Sequence, residues 1–121
     1  MAEHNDFGNL GEKMAREYLQ KKGYVIRHTN WFYQKDELDI VAEYNGELIV
    51  VEVKSRNTAV FGDAHDSITP RKIRNIVNAT QGYIEQFDLM METRFDVITI
   101  TMTKSGYQIE HIENAFMAPV N

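Results

Sequence analysis

Three residues in this chain have the types and spacing of a site that hydrolyses phosphodiesters. Asp39 lies in the apolar run Glu37-Leu38-Asp39-Ile40-Val41. Glu52 and Lys54 lie in the run Ile49-Val50-Val51-Glu52-Val53-Lys54. Charged side chains among β-branched residues need a reason, because a buried charge must be paired or must bind a metal. Of the seven lysines, only Lys54 has an acid two residues before it. Two carboxylates suit Mg²⁺ or Mn²⁺, which takes one or two acids and keeps several waters for phosphate oxygens to replace. A lysine beside them suits the positioning of a water or the neutralising of developing phosphate charge. The bland alternative is a cross-strand ion-pair group in which Lys54 neutralises Glu37 and Glu52.

The elements around these residues decide whether they can meet. Asn45-Gly46 separates two strand-like segments, 36–43 and 47–54, and is a strong hairpin signal. With Asn45 and Gly46 as the loop, Asp39 falls opposite Glu52 and Glu37 opposite Lys54, with Cβ atoms about 4.5–5.5 Å apart. Strand alternation then predicts one wholly apolar face, Leu38, Ile40 and Ala42 against Val53, Val51 and Ile49. The other face carries Val41, Val50 and Leu48 near the turn and the four charged residues at the far end. Opposed acids repel, and a divalent cation or a shared proton relieves them.

Periodicity supplies the remaining elements. Leu10, Met14, Tyr18 and Leu19 recur at helical spacing over 7–22, and Gly23 ends that helix. Residues 24–33 are rich in strand formers. Thr69 and Pro70 open a second helix whose face runs through Ile73, Ile76, Val77, Thr80, Tyr83, Ile84 and Phe87. Segments 95–102 and 107–112 read as strands. The order α-β-β-β-α-β-β, with an antiparallel hairpin and one strand–helix–strand crossover, predicts an α/β fold with helices packed on a mixed sheet. A length of 121 residues with 43% hydrophobic content fits one domain, 1–121.

Bulk properties narrow the function classes. The chain has no cysteine, which excludes a disulfide framework and thiolate metal sites and suits a reducing cytoplasm. The polar start, Met1-Ala2-Glu3-His4-Asn5-Asp6, lacks a signal-peptide core, and no apolar run has the length of a membrane span. A net charge of −5 argues against non-specific nucleic-acid binding. Locally the balance reverses: between Lys54 and Arg74, five basic residues (Lys54, Arg56, Arg71, Lys72, Arg74) face only Asp63 and Asp66. Arg56 falls on the face of Lys54 if the strand continues. The stretch Asp63-Ala64-His65-Asp66 matches no strong metal motif and reads as a polar loop. Trp31-Phe32-Tyr33 reads as packing before base stacking, and His111 as structural.

The pattern Asp39 … Glu52-Val53-Lys54 resembles the PD-(D/E)xK nuclease superfamily. A wider set of motifs runs through nearly the whole chain: Gly11-Glu12-x-x-Ala15-x-x-Tyr18-Leu19, Gly23-Tyr24, Asn30, Glu37-Leu38-Asp39-Ile40-Val41-Ala42, Val51-Glu52-Val53-Lys54-x-Arg56, Phe61-Gly62, Lys72, Arg94-Phe95-Asp96-Val97-Ile98 and Ile112-x-Asn114-Ala115-Phe116. Together these resemble the YraN-like family, which is related to Holliday-junction resolvases. The resemblance implies a restriction-endonuclease-like fold and a catalytic set of Asp39, Glu52 and Lys54. It adds Glu12 on the first helix as a third metal-reaching acid beside Asp39 and Glu52, and Lys72 beside Arg56 as a nucleic-acid contact. Asp96 matches a signature position, for which a structural role is expected. Leu38 stands where the superfamily name has proline. The expected activity is Mg²⁺- or Mn²⁺-dependent cleavage of DNA, branched or processed, by a chain that is compatible with a homodimer. Two alternatives keep the same residues: a non-catalytic nucleic-acid-binding module on a nuclease fold, and a protein-interaction domain with a structural ion-pair cluster.

Overall fold

A computed structural model describes residues 3–56 and 68–118, with side chains from residue 9. Its elements are α1 (Glu3–Lys21), β1 (Val25–Tyr33), β2 (Asp36–Tyr44), β3 (Glu47–Arg56), α2 (Pro70–Phe87), β4 (Thr93–Thr103) and β5 (Gly106–Phe116). The strands form one sheet in the order β1-β2-β3-β4-β5. The β3–β4 pair, joined through α2, is parallel, and the other three pairs are antiparallel. The α/β architecture expected from the pattern is therefore the one observed. No helix among the described residues is long and apolar enough to cross a membrane.

Each face of the sheet is covered by one helix. On one face Ala15 and Leu19 of α1 pack with Tyr24, Ile40, Ala42, Ile49, Val51, Ile98 and Ile100. On the other, Ile76, Ala79 and Tyr83 of α2 pack with Leu38, Val41, Leu48, Val50 and Phe95. Burying such side chains is the main driving force of the fold, at about 1.5–3 kcal/mol for each large one.

Local chemistry sets the element ends. Asn45 and Gly46 both take positive φ, 52° and 80°, as a tight twisted hairpin requires. Pro70 starts α2, and the Thr69 side chain accepts from the Lys72 amide at 3.1 Å. That cap fixes the turn carrying Lys72.

Two expectations about faces are corrected. Leu10 is 38% exposed, and the buried stripe of α1 is Gly11, Ala15 and Leu19. Gly11 lies so close to β3 that an added Cβ would stand 2.1 Å from Ser55 Oγ. The helix approaches the sheet through its smallest residue and turns Leu10 aside. Leu38, expected on the face of Ile40 and Ala42, packs instead with Val41 under α2. Alternation slips by one residue between Leu38 and Val41. The partner strand has its own irregularity at this level. Asn30 is left-handed, at φ 50°, between the pairs Thr29–Ile40 and Trp31–Leu38.

Candidate functional site

The β2–β3 hairpin pairs in the expected register, from Tyr44–Glu47 at the turn to Ile40–Val51. The ladder stops one pair short of Asp39 and Glu52. There the Asp39 carboxylate replaces a backbone acceptor: its Oδ2 takes the Val53 amide hydrogen bond at 2.9 Å. The site is thus the splayed end of the hairpin, away from the Asn45-Gly46 turn.

Glu52 is 5% exposed and faces two cations. Lys72 Nζ lies 3.2 Å from Glu52 Oε2, and Lys54 Nζ lies 3.7 Å from the same oxygen. Burial works against the Lys72 charge, but Glu52, with Asp39 and Glu37 adding to it, holds the ammonium above its ordinary pKa. Lys54 is therefore beside Glu52, its neighbour two residues back on the same strand. Lys72 is the closer partner, and sequence spacing gave no sign of this ion pair.

Asp39 is the perturbed group. Burial raises its pKa first, the Glu52 charge second, and the Glu12 charge adds to both. The Val53 hydrogen bond opposes them, and the result is a carboxyl pushed up to about 8. Near neutral pH Asp39 therefore keeps its proton beside Glu52, whose own carboxylate faces Lys72 and Lys54.

Glu12 reaches this end of the sheet from α1, on the turn that Gly11 brings against β3. Its Oε1 accepts from Asn30 Nδ2 at 2.8 Å, and the same nitrogen donates to Glu37 Oε2 at 2.9 Å. Glu37, expected opposite Lys54, is thus held by Asn30. Asn30 is the residue to which the sequence pattern gave no role. Two signals pointed to it: its place among the family motif positions, and an asparagine in a strand of β formers, since asparagine tolerates positive φ.

Among the described residues no three His, Cys, Asp or Glu side chains form a ready-made metal cluster. The donor chemistry still suits a hard divalent ion. Mg²⁺ or Mn²⁺ needs only one or two acids, and a cation bound there would displace the proton that Asp39 holds beside Glu52. Asp39 and Glu52 would hold such an ion, with Glu12 the nearest further acid.

The remaining candidates separate cleanly. Arg56 pairs with Thr101 of β4 at the end of β3. The Asp63-Ala64-His65-Asp66 stretch lies outside the described residues. Trp31 and Tyr33 pack against the α2-side core, whereas Phe32 is 60% exposed. Asp96 is fully buried and structural. It accepts from Arg94 at 2.9 and 2.8 Å and from the Asn114 amide at 3.0 Å, and its Oδ2 lies 2.7 Å from His111 Nε2. A cavity of about 300 Å³ lined by Val77, Thr80, Ile84, Phe95 and Phe116 holds none of the site residues.

Comparison with known proteins places the chain in a lineage. A family model described as "Uncharacterised protein family UPF0102" matches residues 11–100, a span that contains every candidate site residue. A UPF0102 protein of Phocaeicola vulgatus is 52% identical over 120 residues, covering 99% of each chain. One from Flavobacterium psychrophilum is 47% identical over 116 residues, covering 96% of this chain and 98% of its own. One from Bacteroides thetaiotaomicron is 41% identical over 120 residues, again covering 99% of each. By a family match over most of its length and by relatives aligned nearly end to end, the chain belongs to the UPF0102 family.

Proposed function

We propose that this protein is a metal-dependent endonuclease that hydrolyses DNA phosphodiester bonds. The observation that carries the reading is the Asp39–Glu52 pair. Two acids from neighbouring strands face each other at the open end of a hairpin, and Asp39 holds its proton up to about pH 8. A fold gains nothing from that repulsion, whereas a cation site requires it.

When bound between these acids, Mg²⁺ or Mn²⁺ supplies Lewis-acid polarisation of a phosphodiester. Lys54 sits at the same end of β3 and is the group that orients the attacking water or meets the charge gathering on phosphate. Lys72 holds one oxygen of Glu52 and fixes the orientation of that carboxylate. Arg56, and Arg71 with Arg74 in the first turns of α2, supply positive charge around the site for the DNA backbone. Resemblance to junction resolvases favours branched or processed DNA over plain duplex. The competing reading, an ion-pair cluster that only specifies the fold, draws on the two lysines already placed on Glu52.

The test is cleavage of single-stranded, duplex, flapped and four-way-junction DNA in Mg²⁺, Mn²⁺ or chelator. Cleavage is expected only with metal. Lys54→Ala is expected to lower the rate by about 10²–10³, the usual effect of removing one stabilising group, and Asp39→Asn to abolish it. DNA binding without cleavage on any substrate would overturn the catalytic reading in favour of an accessory module. Neither binding nor a metal response would favour the ion-pair cluster.

A further inference from the structure

Asn30 does something unusual for a residue in the middle of a strand. Its backbone is left-handed, at φ 50°, although both neighbours pair regularly with β2. That conformation costs most non-glycine residues roughly 1–2 kcal/mol, and asparagine is among the few that visit it routinely. The kink stands at the level where Asp39 leaves the β3 ladder. The side chain it carries bridges two acids through one nitrogen: 2.8 Å to Glu12 Oε1 and 2.9 Å to Glu37 Oε2.

We propose that Asn30 is the positioning residue of this site, its amide clamping Glu12 and Glu37 so that Glu12 is presented to a divalent ion held by Asp39 and Glu52. This rests on the metal-dependent reading above. The chemistry of the amide suits the task. It has two N–H donors and no charge, so it can hold two carboxylates without neutralising either. Lysine in that place would compete with a metal for both acids, and aspartate would repel them. Only one oxygen of each carboxylate is used, which leaves the other for a cation. Groups that orient metal ligands by hydrogen bonding typically change affinity by about 10–100-fold when removed.

Two substitutions separate the amide from the backbone it rides on. Asn30→Gly keeps the left-handed conformation and deletes the amide. Asn30→Asp keeps the shape and replaces the donors with acceptors. The probe is Mn²⁺ alone, its affinity read from the electron paramagnetic resonance of free ion, with melting in chelator as the control for folding. Asn30→Gly is expected to weaken Mn²⁺ binding by about 10-fold or more while the chelator melt holds, and Asn30→Asp to weaken it at least as much. In a Glu12→Ala background the Asn30→Gly effect is expected to vanish, because the amide acts through Glu12. Unchanged Mn²⁺ affinity in Asn30→Gly, or a full loss persisting without Glu12, would overturn the assignment and leave the metal site standing. Absence of Mn²⁺ binding by the unaltered chain would overturn the metal-dependent reading, and this proposal with it.

Discussion

Asp39 and Asp96 are both acids set into the sheet, and their surroundings pull them in opposite directions. Burial alone would raise Asp96, but His111, Arg94 and the Asn114 amide bring its pKa below the ordinary value. Asp39 meets two further acids and one amide, and rises to about 8. A carboxyl lowered by folding contributes stability above its ordinary pKa and loses it as pH falls. A carboxyl raised by folding contributes stability below its ordinary value of 3.8 and loses it as pH climbs through about 8. In chelator, melting is therefore expected to weaken progressively between about pH 4 and about pH 8, and Asp39→Asn is expected to remove that loss. Asp96→Asn is expected to cost about 1–3 kcal/mol near neutral pH, because it weakens the hydrogen bonds from Arg94 and His111, while Glu47 and Glu113 still accompany Arg94. Thermal melts of the two variants across that range check both. The sequence made both acids visible but not their difference, which arises from partners distant along the chain, Asn114 eighteen residues from Asp96 and Glu12 twenty-seven from Asp39.

At the scale of elements, the hairpin was legible and its neighbours less so. Asn45-Gly46 fixes the β2–β3 register through a turn with two positive φ values, and local turn chemistry is readable in one dimension. The slip that sends Leu38 to the α2 side is not local. It involves irregularities in two adjacent strands at once, at Asn30 and around Asp39, and no periodicity in either strand alone encodes it. The turning aside of Leu10 likewise depends on how near α1 can come to Ser55. Close approach recurs on the opposite face, where a Cβ on Gly82 would meet the Tyr33 ring at 2.4 Å. Gly82→Ala gains about 1 kcal/mol of helix propensity and meets an overpacking cost of about 1–3 kcal/mol. Because Tyr33 is itself packed against the α2-side core, the cost is expected to win. The variant should melt lower than the parent, while its Mn²⁺ affinity should not change. A higher melting temperature would show that Tyr33 moves aside freely.

For the molecule as a whole, the sheet order and the two-sided helix packing followed from the alternation of strand and helix patterns. What the sequence did not display is convergence. Glu12 from α1 and Lys72 from α2 come from helices on opposite faces, yet both arrive at the one place where β2 and β3 part. Helix placement and hairpin splaying together make that site, and neither is written in a short motif. The net charge of −5 is a poor guide here, because the cations that matter are gathered near the acids they accompany.

The central claim is that a divalent ion held by Asp39 and Glu52 displaces the proton that Asp39 carries. The direct measurement is calorimetric titration of Mn²⁺ at about pH 6 and about pH 7, each in two buffers that differ in ionisation enthalpy. Binding is expected with release of close to one proton, about tenfold tighter at the higher pH, and is expected to be lost in Asp39→Asn. Absence of binding, or binding that neither releases a proton nor depends on Asp39, would contradict the account.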